Sequence, residues 1–161
     1  MSSSDRRTVL LMLGALPLAA CGFAPAYGPG GAGAALHGAV RMAEPRDENA
    51  WELVVRLEER LGRAAAPRYA LDYTVTTEKI GAGITPSRAI TRYTMTGAAT
   101  FRLTESATGT VVAEGRVEGF TGWSATGSTV ATLTAEEDAR VRLMRILADR
   151  IVTRLLATGA A

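Results

Sequence analysis

The chain has 161 residues, of which 47% are hydrophobic, and its 18 Lys and Arg side chains against 16 Asp and Glu give a net charge of +2. This length suits a single domain, and the composition is too apolar for a disordered chain and too weakly charged for a nucleic-acid-binding protein. A single Cys and a single His exclude an internal disulfide framework and a Cys/His zinc cluster.

Residues 1–20 have the order of a signal peptide: a polar start with Arg6 and Arg7, an apolar run, then small residues. The run has about 12 residues, so as a helix it would rise about 18 Å, which is short of the roughly 30 Å hydrocarbon core of a bilayer. Residues 18–21, Leu-Ala-Ala-Cys, resemble the bacterial lipobox, in which the Cys is acylated. We therefore predict a lipoprotein signal peptide with lipid attachment at Cys21. Both the general and the twin-arginine export routes remain open.

The segment after Cys21 predicts a tether. Residues 21–35 are rich in Gly, Pro and Ala and show no periodicity, which is typical of a flexible linker. Gly22 stands where many lipoproteins retained at the inner membrane have Asp, so the chain is compatible with transport to the outer membrane. A single domain is predicted over residues 36–161.

The first half of this domain is predicted to hold a strand, a helix and a second strand. Weak alternation of apolar residues indicates a short strand over residues 36–42. Asn49 and Glu52 have the spacing of a capping box that starts an amphipathic helix, and Gly62 supplies its end. Clear alternation then predicts a half-buried strand over residues 69–78.

The second half is predicted to hold two more strands and a long helix. A Gly- and Pro-containing loop over residues 79–88 precedes a strand over residues 92–104, and a tight turn leads to a returning strand over residues 110–124. A polar loop over residues 125–132 follows. The last helix is predicted from a capping box at Thr134 to about residue 157.

The element order β-α-β-β-β-α predicts an α+β fold. Both helices are amphipathic and each strand has one apolar face, so the simplest burial places two helices on one face of a four-stranded, mostly antiparallel sheet. The other face is rich in Thr and Arg, which is typical of a solvated sheet face.

No catalytic constellation is evident in the sequence. His37 lacks the Ser and Asp neighbours of a triad, and the acidic pairs at Glu58-Glu59 and Glu136-Glu137 lie on helices, where solvation or the helix dipole explains them. We predict no enzymatic activity, no cofactor and no metal.

Phe120 and Trp123 are the aromatic residues that are hardest to place in the core. They lie near the end of the last strand, next to a polar loop. They are as well explained by an apolar contact with a partner as by burial.

The N-terminal segment carries a family resemblance. Cys21, Gly22, Phe23, Pro25, Tyr27 and Gly28 match a Cys-Gly-Phe-x-Pro-x-Tyr-Gly segment. With the element order and the stretch Tyr-Thr-Met-Thr at residues 93–96, this segment resembles alphaproteobacterial members of the lipopolysaccharide (LPS)-assembly lipoprotein family LptE.

The resemblance implies a protein that plugs the lumen of the LptD-type β-barrel, helps that barrel fold and assists LPS delivery to the outer leaflet. It implies lipid anchoring at the cell outer membrane, with the domain on the periplasmic side or within the lumen. The expected partners are that barrel, LPS and the outer membrane, and no nucleic acid.

The family's LPS contacts are basic residues before the central strand and before the last helix. Arg88 and Arg92 match the first region, whereas residues 129–134 contain no Lys or Arg. Arginine suits a phosphate because its planar guanidinium donates two hydrogen bonds at once. Exposed charge at a strand edge is the alternative explanation of both residues.

Two other functions remain open on the residues alone. The first is a lipid-anchored periplasmic binding module for a small lipid or another envelope partner, which a ligand-sized apolar cavity between sheet and helices would favour. The second is a tethered hydrolase, which would need a convergent polar site.

Overall fold

The computed structural model describes residues 27–28, 31–85, 89–125 and 127–158. In chain order its elements are α1 (Ala32–Leu36), β1 (Val40–Met42), α2 (Glu48–Leu61), β2 (Tyr69–Ile84), β3 (Ile90–Glu105), β4 (Val111–Ser124) and α3 (Thr129–Ala157). The strands form one sheet in the order β1-β2-β3-β4, in which β1 is parallel to β2 and the other pairs are antiparallel. The predicted α+β fold is confirmed.

Alternation along the strands directs one apolar face of the sheet toward the helices. Leu71 pairs with Leu103, and Tyr69, Phe101 and Ala99 continue this face. The helices contribute apolar residues at helical spacing, which form one core cluster with the strands. Its fully buried members from the two long helices are Leu53, Leu57, Leu61, Ala139, Leu143, Met144, Leu147, Ala148, Ile151, Val152 and Leu155.

Two paired glycines let α3 lie close to the sheet. Gly97 of β3 is paired with Gly119 of β4. A Cβ atom at Gly97 would lie 2.9 Å from a methyl of Leu143, and one at Gly119 would lie 3.0 Å from a methyl of Ile146. A glycine inside a strand is explained here by the close approach of another element.

The two long helices run in the same direction, and ion pairs join them. Arg140 of α3 contacts Glu48 and Asn49 at the start of α2. Nine residues farther along α3, Asp149 accepts two hydrogen bonds from Arg56, at 3.2 and 3.1 Å, and lies 3.4 Å from Arg60.

Helix α3 is much longer than α2, with 29 residues against 14. Because α2 begins beside residue 140, the first ten residues of α3 extend beyond it. Val130 and Leu133 lie there and are 74% and 61% exposed.

Replacing Asp149 with Ala is expected to lower the free energy of unfolding by about 1 kcal/mol, at the upper end for surface ion pairs, because it removes the partner of two arginines. Urea denaturation at neutral pH measures this loss. Glu114→Ala is the matched control, since it removes the partner of Arg102 in an exposed pair and should cost less than about 0.5 kcal/mol. Equal losses in the two variants would contradict the role given to the interhelical pair.

The N-terminal boundary differs from the prediction. Residues 32–35, assigned to the tether, lie in α1, and Leu36 ends that helix instead of starting a strand. Leu36 is fully buried in the core cluster, so tertiary packing orders a segment whose composition indicates a linker. The capping residue of α2 also differs, because Asp47 rather than Asn49 accepts a hydrogen bond from the N–H of Ala50, at 2.8 Å.

Both predicted loops are largely regular structure. Strand β2 continues through residues 79–84, because pairing with β3 carries it past the glycines at 81 and 83, where the register shifts. Helix α3 begins at Thr129, five residues before the predicted capping box. Ser128 accepts a hydrogen bond from the N–H of Ala131 at 3.2 Å, whereas the hydroxyl of Thr134 donates to the carbonyl of Val130 inside the helix.

Candidate interaction surface

The sheet face opposite the helices, which we call the open face, carries most of the exposed polar side chains of the strands. Alternation places residues there at every second position of β2, β3 and β4. It consists of Asp72, Thr74, Thr76, Glu78, Ile80, Arg92, Thr94, Thr96, Ala98, Thr100, Arg102, Glu114, Arg116, Glu118 and Phe120.

Charges of both signs alternate across this face. Arg102 lies between Asp72 and Glu114 in the strand register and is 3.1 Å from the Glu114 carboxylate. Arg116 pairs with Glu118 at 3.0 Å. Exposed pairs of this kind add little to stability. The open face is therefore a polar, nearly neutral surface suited to hydrogen bonding.

The structure separates the two aromatic residues that were predicted as a partner contact. Phe120 lies on the open face and is 70% exposed, whereas Trp123 is 6% exposed and packs in the core. Three residues along a strand reverse the side-chain direction, so the two cannot share a face. The prediction of a partner contact at Trp123 is wrong, and the period-two alternation of a strand, which puts residues 120 and 123 on opposite faces, could have shown this. Phe120 remains a candidate.

Trp123 belongs to a cluster that includes Lys79. The sequence did not predict this cluster, because residues 79–88 were predicted to form a loop. Its ring stacks on Tyr93 with centroids 5.3 Å apart. The ammonium of Lys79 lies 4.7 Å from the Tyr93 ring and 5.3 Å from the Trp123 ring, and it pairs with Glu136 of α3 at 2.5 Å. A cation over aromatic faces, held by a carboxylate, ties β2 to the start of α3.

The predicted LPS-binding and lipid-attachment residues fall in different parts of the chain. Arg92 lies at the start of β3, exposed, and its side chain has no hydrogen bond or ion pair within the described ranges. Arg88 and Cys21 lie outside the described residues.

Neighbouring side chains stabilise the charged forms of two glutamates. Arg140 lowers the pKa of Glu137, and Thr108 together with Arg68 lowers the pKa of Glu105. Burial raises the pKa of Tyr73, whose hydroxyl donates to the carbonyl of Ala43 at 3.1 Å. A general acid–base residue needs a pKa near the working pH, and the shifts of both glutamates run in the opposite direction.

The contacts of His37 and of the Glu58-Glu59 pair are those of residues with a structural role. His37 is exposed and follows α1, donating its backbone N–H to Gly33, and its ring lies against Gly62. Glu58 pairs with Arg63, and Glu59 pairs with Arg56. In the described ranges no group of three or more His, Cys, Asp or Glu side chains is arranged to hold a metal.

The space between the sheet and the helices is filled by core side chains, most of them without exposed area. Two shallow depressions, of about 750 and 700 Å³, lie on the open face instead. Among the helices that the structure describes, none is long and apolar enough to cross a bilayer. The arrangement therefore favours binding at the surface of the sheet over enclosure of a ligand.

Comparisons with known proteins agree with this fold. A family model described as LptE, lipopolysaccharide-assembly, matches residues 38–155. A candidate lipoprotein from Caulobacter crescentus is 19% identical, with a TM-score of 0.67 over 81% of this chain and 96% of that one. The rare lipoprotein B from Shewanella oneidensis is 15% identical, with a TM-score of 0.55 over 74% and 93%. No curated protein matches. At these identities the solved structures establish the fold alone.

Proposed function

This chain belongs to the LptE family of lipopolysaccharide-assembly proteins, and from that membership we propose that it plugs and helps to assemble an LptD-type β-barrel in the outer membrane. The proposal includes assistance in LPS delivery to the outer leaflet, without enzymatic turnover of its own. The observation that carries it is the family match over residues 38–155, which spans β1 to the end of the α3 core.

The character of the open face supports a position inside a barrel. The lumen of a large outer-membrane barrel is polar and water-filled. A plug therefore needs an outer surface that tolerates water and bonds to polar side chains. The threonines and alternating charges of the open face meet this need, while Phe120 offers one apolar contact.

The anchor in this proposal is Cys21. A lipid at residue 21 and a short linker up to α1 would hold the domain close to the membrane surface, on its periplasmic side or within the lumen. Lipidated export explains why the chain has one Cys at the end of a small-residue run.

The partner is tested by isolating the tagged lipoprotein from detergent extracts of its own cells. We expect an LptD-type barrel to be recovered with it in a stable complex. Depletion of the lipoprotein should leave that barrel misassembled, which the loss of its heat-modifiable electrophoretic form measures. Recovery of a folded domain without any barrel would contradict the proposal.

Arg92 is the described residue that we propose as an LPS contact, together with Arg88. Arg92→Ala is expected to weaken binding of purified LPS by about tenfold, the effect of losing one charge-assisted phosphate contact. Arg102→Ala is the matched control, because Arg102 lies on the same strand and face but already pairs with Glu114. A fluorescence titration measures both affinities. Equal affinities of the two variants for LPS would contradict a role of Arg92 in LPS binding.

A further inference from the structure

Strand β4 forms a long edge of the sheet. In the described part of the chain no strand lies beside its outer side. The opposite edge, β1, has three residues, whereas β4 has 14. An edge strand presents backbone N–H and C=O groups that can pair with another extended chain.

The backbone of the even-numbered β4 residues faces this free edge. Opposite residues of an antiparallel pair alternate between exchanging two hydrogen bonds and exchanging none. The N–H of Ala125, which continues the strand, donates to the carbonyl of Thr91, so the odd-numbered residues bond to β3. In agreement, the carbonyl of Glu118 accepts a hydrogen bond from Arg150 of α3. The outward-facing residues are Glu114, Arg116, Glu118, Phe120 and Gly122.

Arginines line the same edge on its helix side. A groove of about 410 Å³ between β4 and α3 is bordered on the helix side by Arg150 and Arg154 and at the strand by Arg116, which belongs to the open face. Its one carboxylate, on Glu118, already pairs with Arg116. Within the described ranges, Arg150 bonds only to a backbone carbonyl and the Arg154 side chain has no hydrogen bond or ion pair. Two positive charges beside the free edge are thus left without an acidic partner.

We propose that the free edge of β4 binds an extended, acidic polypeptide segment of a partner protein, which adds to the sheet as a further strand. Backbone hydrogen bonds to the even-numbered residues, apart from the Glu118 carbonyl that already accepts from Arg150, supply affinity, and alternate side chains supply specificity. Side chains on one side of the added strand lie beside Phe120 on the open face, and those on the other side lie toward Arg150 and Arg154. The recognised segment therefore alternates apolar and acidic residues.

The partner segment need not come from the barrel, so the inference stands apart from the proposed function. Its probe is a fluorescent heptapeptide of alternating Ile and Glu, titrated against the full chain purified in detergent. In the expected register the isoleucines lie opposite the even-numbered β4 residues, and their N–H groups face β4. The glutamates face the arginines.

Two matched N-methylated peptides distinguish binding through backbone hydrogen bonds from binding that depends only on the amino-acid composition of the peptide. N-methylation at the isoleucines removes the N–H groups that face β4 and is expected to weaken binding at least about tenfold. N-methylation at the glutamates removes outward N–H groups and is expected to change affinity less than about threefold. Equal effects of the two modifications, or no binding of the parent peptide, would overturn strand addition.

Two matched variants test the charge. Arg154→Glu is expected to weaken peptide binding about fivefold, whereas Arg145→Glu, an exposed arginine of the same helix outside the groove, should change it less than about twofold. Equal losses of peptide affinity in the two variants would show that binding depends only on the net charge of the protein. That result would overturn the proposed site.

Two other ligands of the β4 edge, a lipid surface and a second copy of this chain, would give different experimental results. Vesicles of anionic phospholipid that bind in an Arg154-dependent manner, while the peptide does not bind, would make the groove a lipid contact. A dimer in sedimentation that Glu118→Pro abolishes and Glu118→Gln preserves would make the edge a contact between two copies of this chain. Either result would overturn the proposal.

Discussion

Replacing Cys21 with Ala is expected to abolish acyl labelling of the chain and to release it from the membrane fraction. Each buried methylene of an attached acyl chain contributes about 0.8 kcal/mol to membrane binding, so several chains on one residue give a practically permanent anchor. Metabolic labelling with a radioactive fatty acid and fractionation of the cells measure the two effects.

A control measurement for the Cys21→Ala variant is the thermal stability of its folded domain. The core cluster begins at Leu36, well after residue 21, so the thermal unfolding midpoint of the Cys21→Ala chain should match that of the delipidated wild type. A Gly22→Ala chain, which keeps the acceptor thiol, should still be labelled. Acyl labelling that survives the loss of Cys21 would refute the lipoprotein interpretation.

Replacing Leu147 with Ala is expected to lower the free energy of unfolding by about 2–5 kcal/mol, the cost of a cavity in a close-packed core. Leu147 is fully buried, and it packs beside Leu143 over the paired glycines of β3 and β4. The sheet surface directly below it is the backbone of Gly97 and Gly119, which have no side chain to fill the space. Urea denaturation, with an unchanged m-value, measures the loss.

Leu133→Ala provides the matched control on the same helix. Leu133 is largely exposed, because it lies beyond the start of α2. The same atoms are removed from a surface position, so the expected change is within about 0.5 kcal/mol. Similar losses at the two positions would show that α3 is not packed as described.

Local patterns predicted the elements, while contacts distant in sequence determined their ends. Alternation over residues 69–78 is a property of the strand itself, and the positive φ at Gly62 is a local requirement of the helix end. Pairing with β3 extends β2 to Ile84, and nothing in the Gly-rich sequence there indicates it. The start of α2 was misassigned because two residues, Asp47 and Asn49, can both cap a helix.

The sequence predicts the residues of the candidate surface only where the direction of the side chain along a strand determines their position. Alternation identifies the Thr- and Arg-rich face and places Phe120 on it. The cluster around Lys79 depends on Glu136, 57 residues away, and the interhelical pair joins residues 93 apart. Because many Arg and Glu side chains could pair, spacing in the sequence does not select these partners. The free edge of β4 follows from the strand order.

The length difference between the two helices divides α3 into two segments of unequal local stability. Every fully buried residue of α3 lies at or after Ala139, so the first ten residues can unfold without opening the core. Within the described ranges, the Lys79–Glu136 pair and the packing of Ala135 against the core oppose this local opening. The helix thus combines a rigid C-terminal segment, which unfolds only with the whole domain, with an adaptable N-terminal segment that can change conformation when a partner binds.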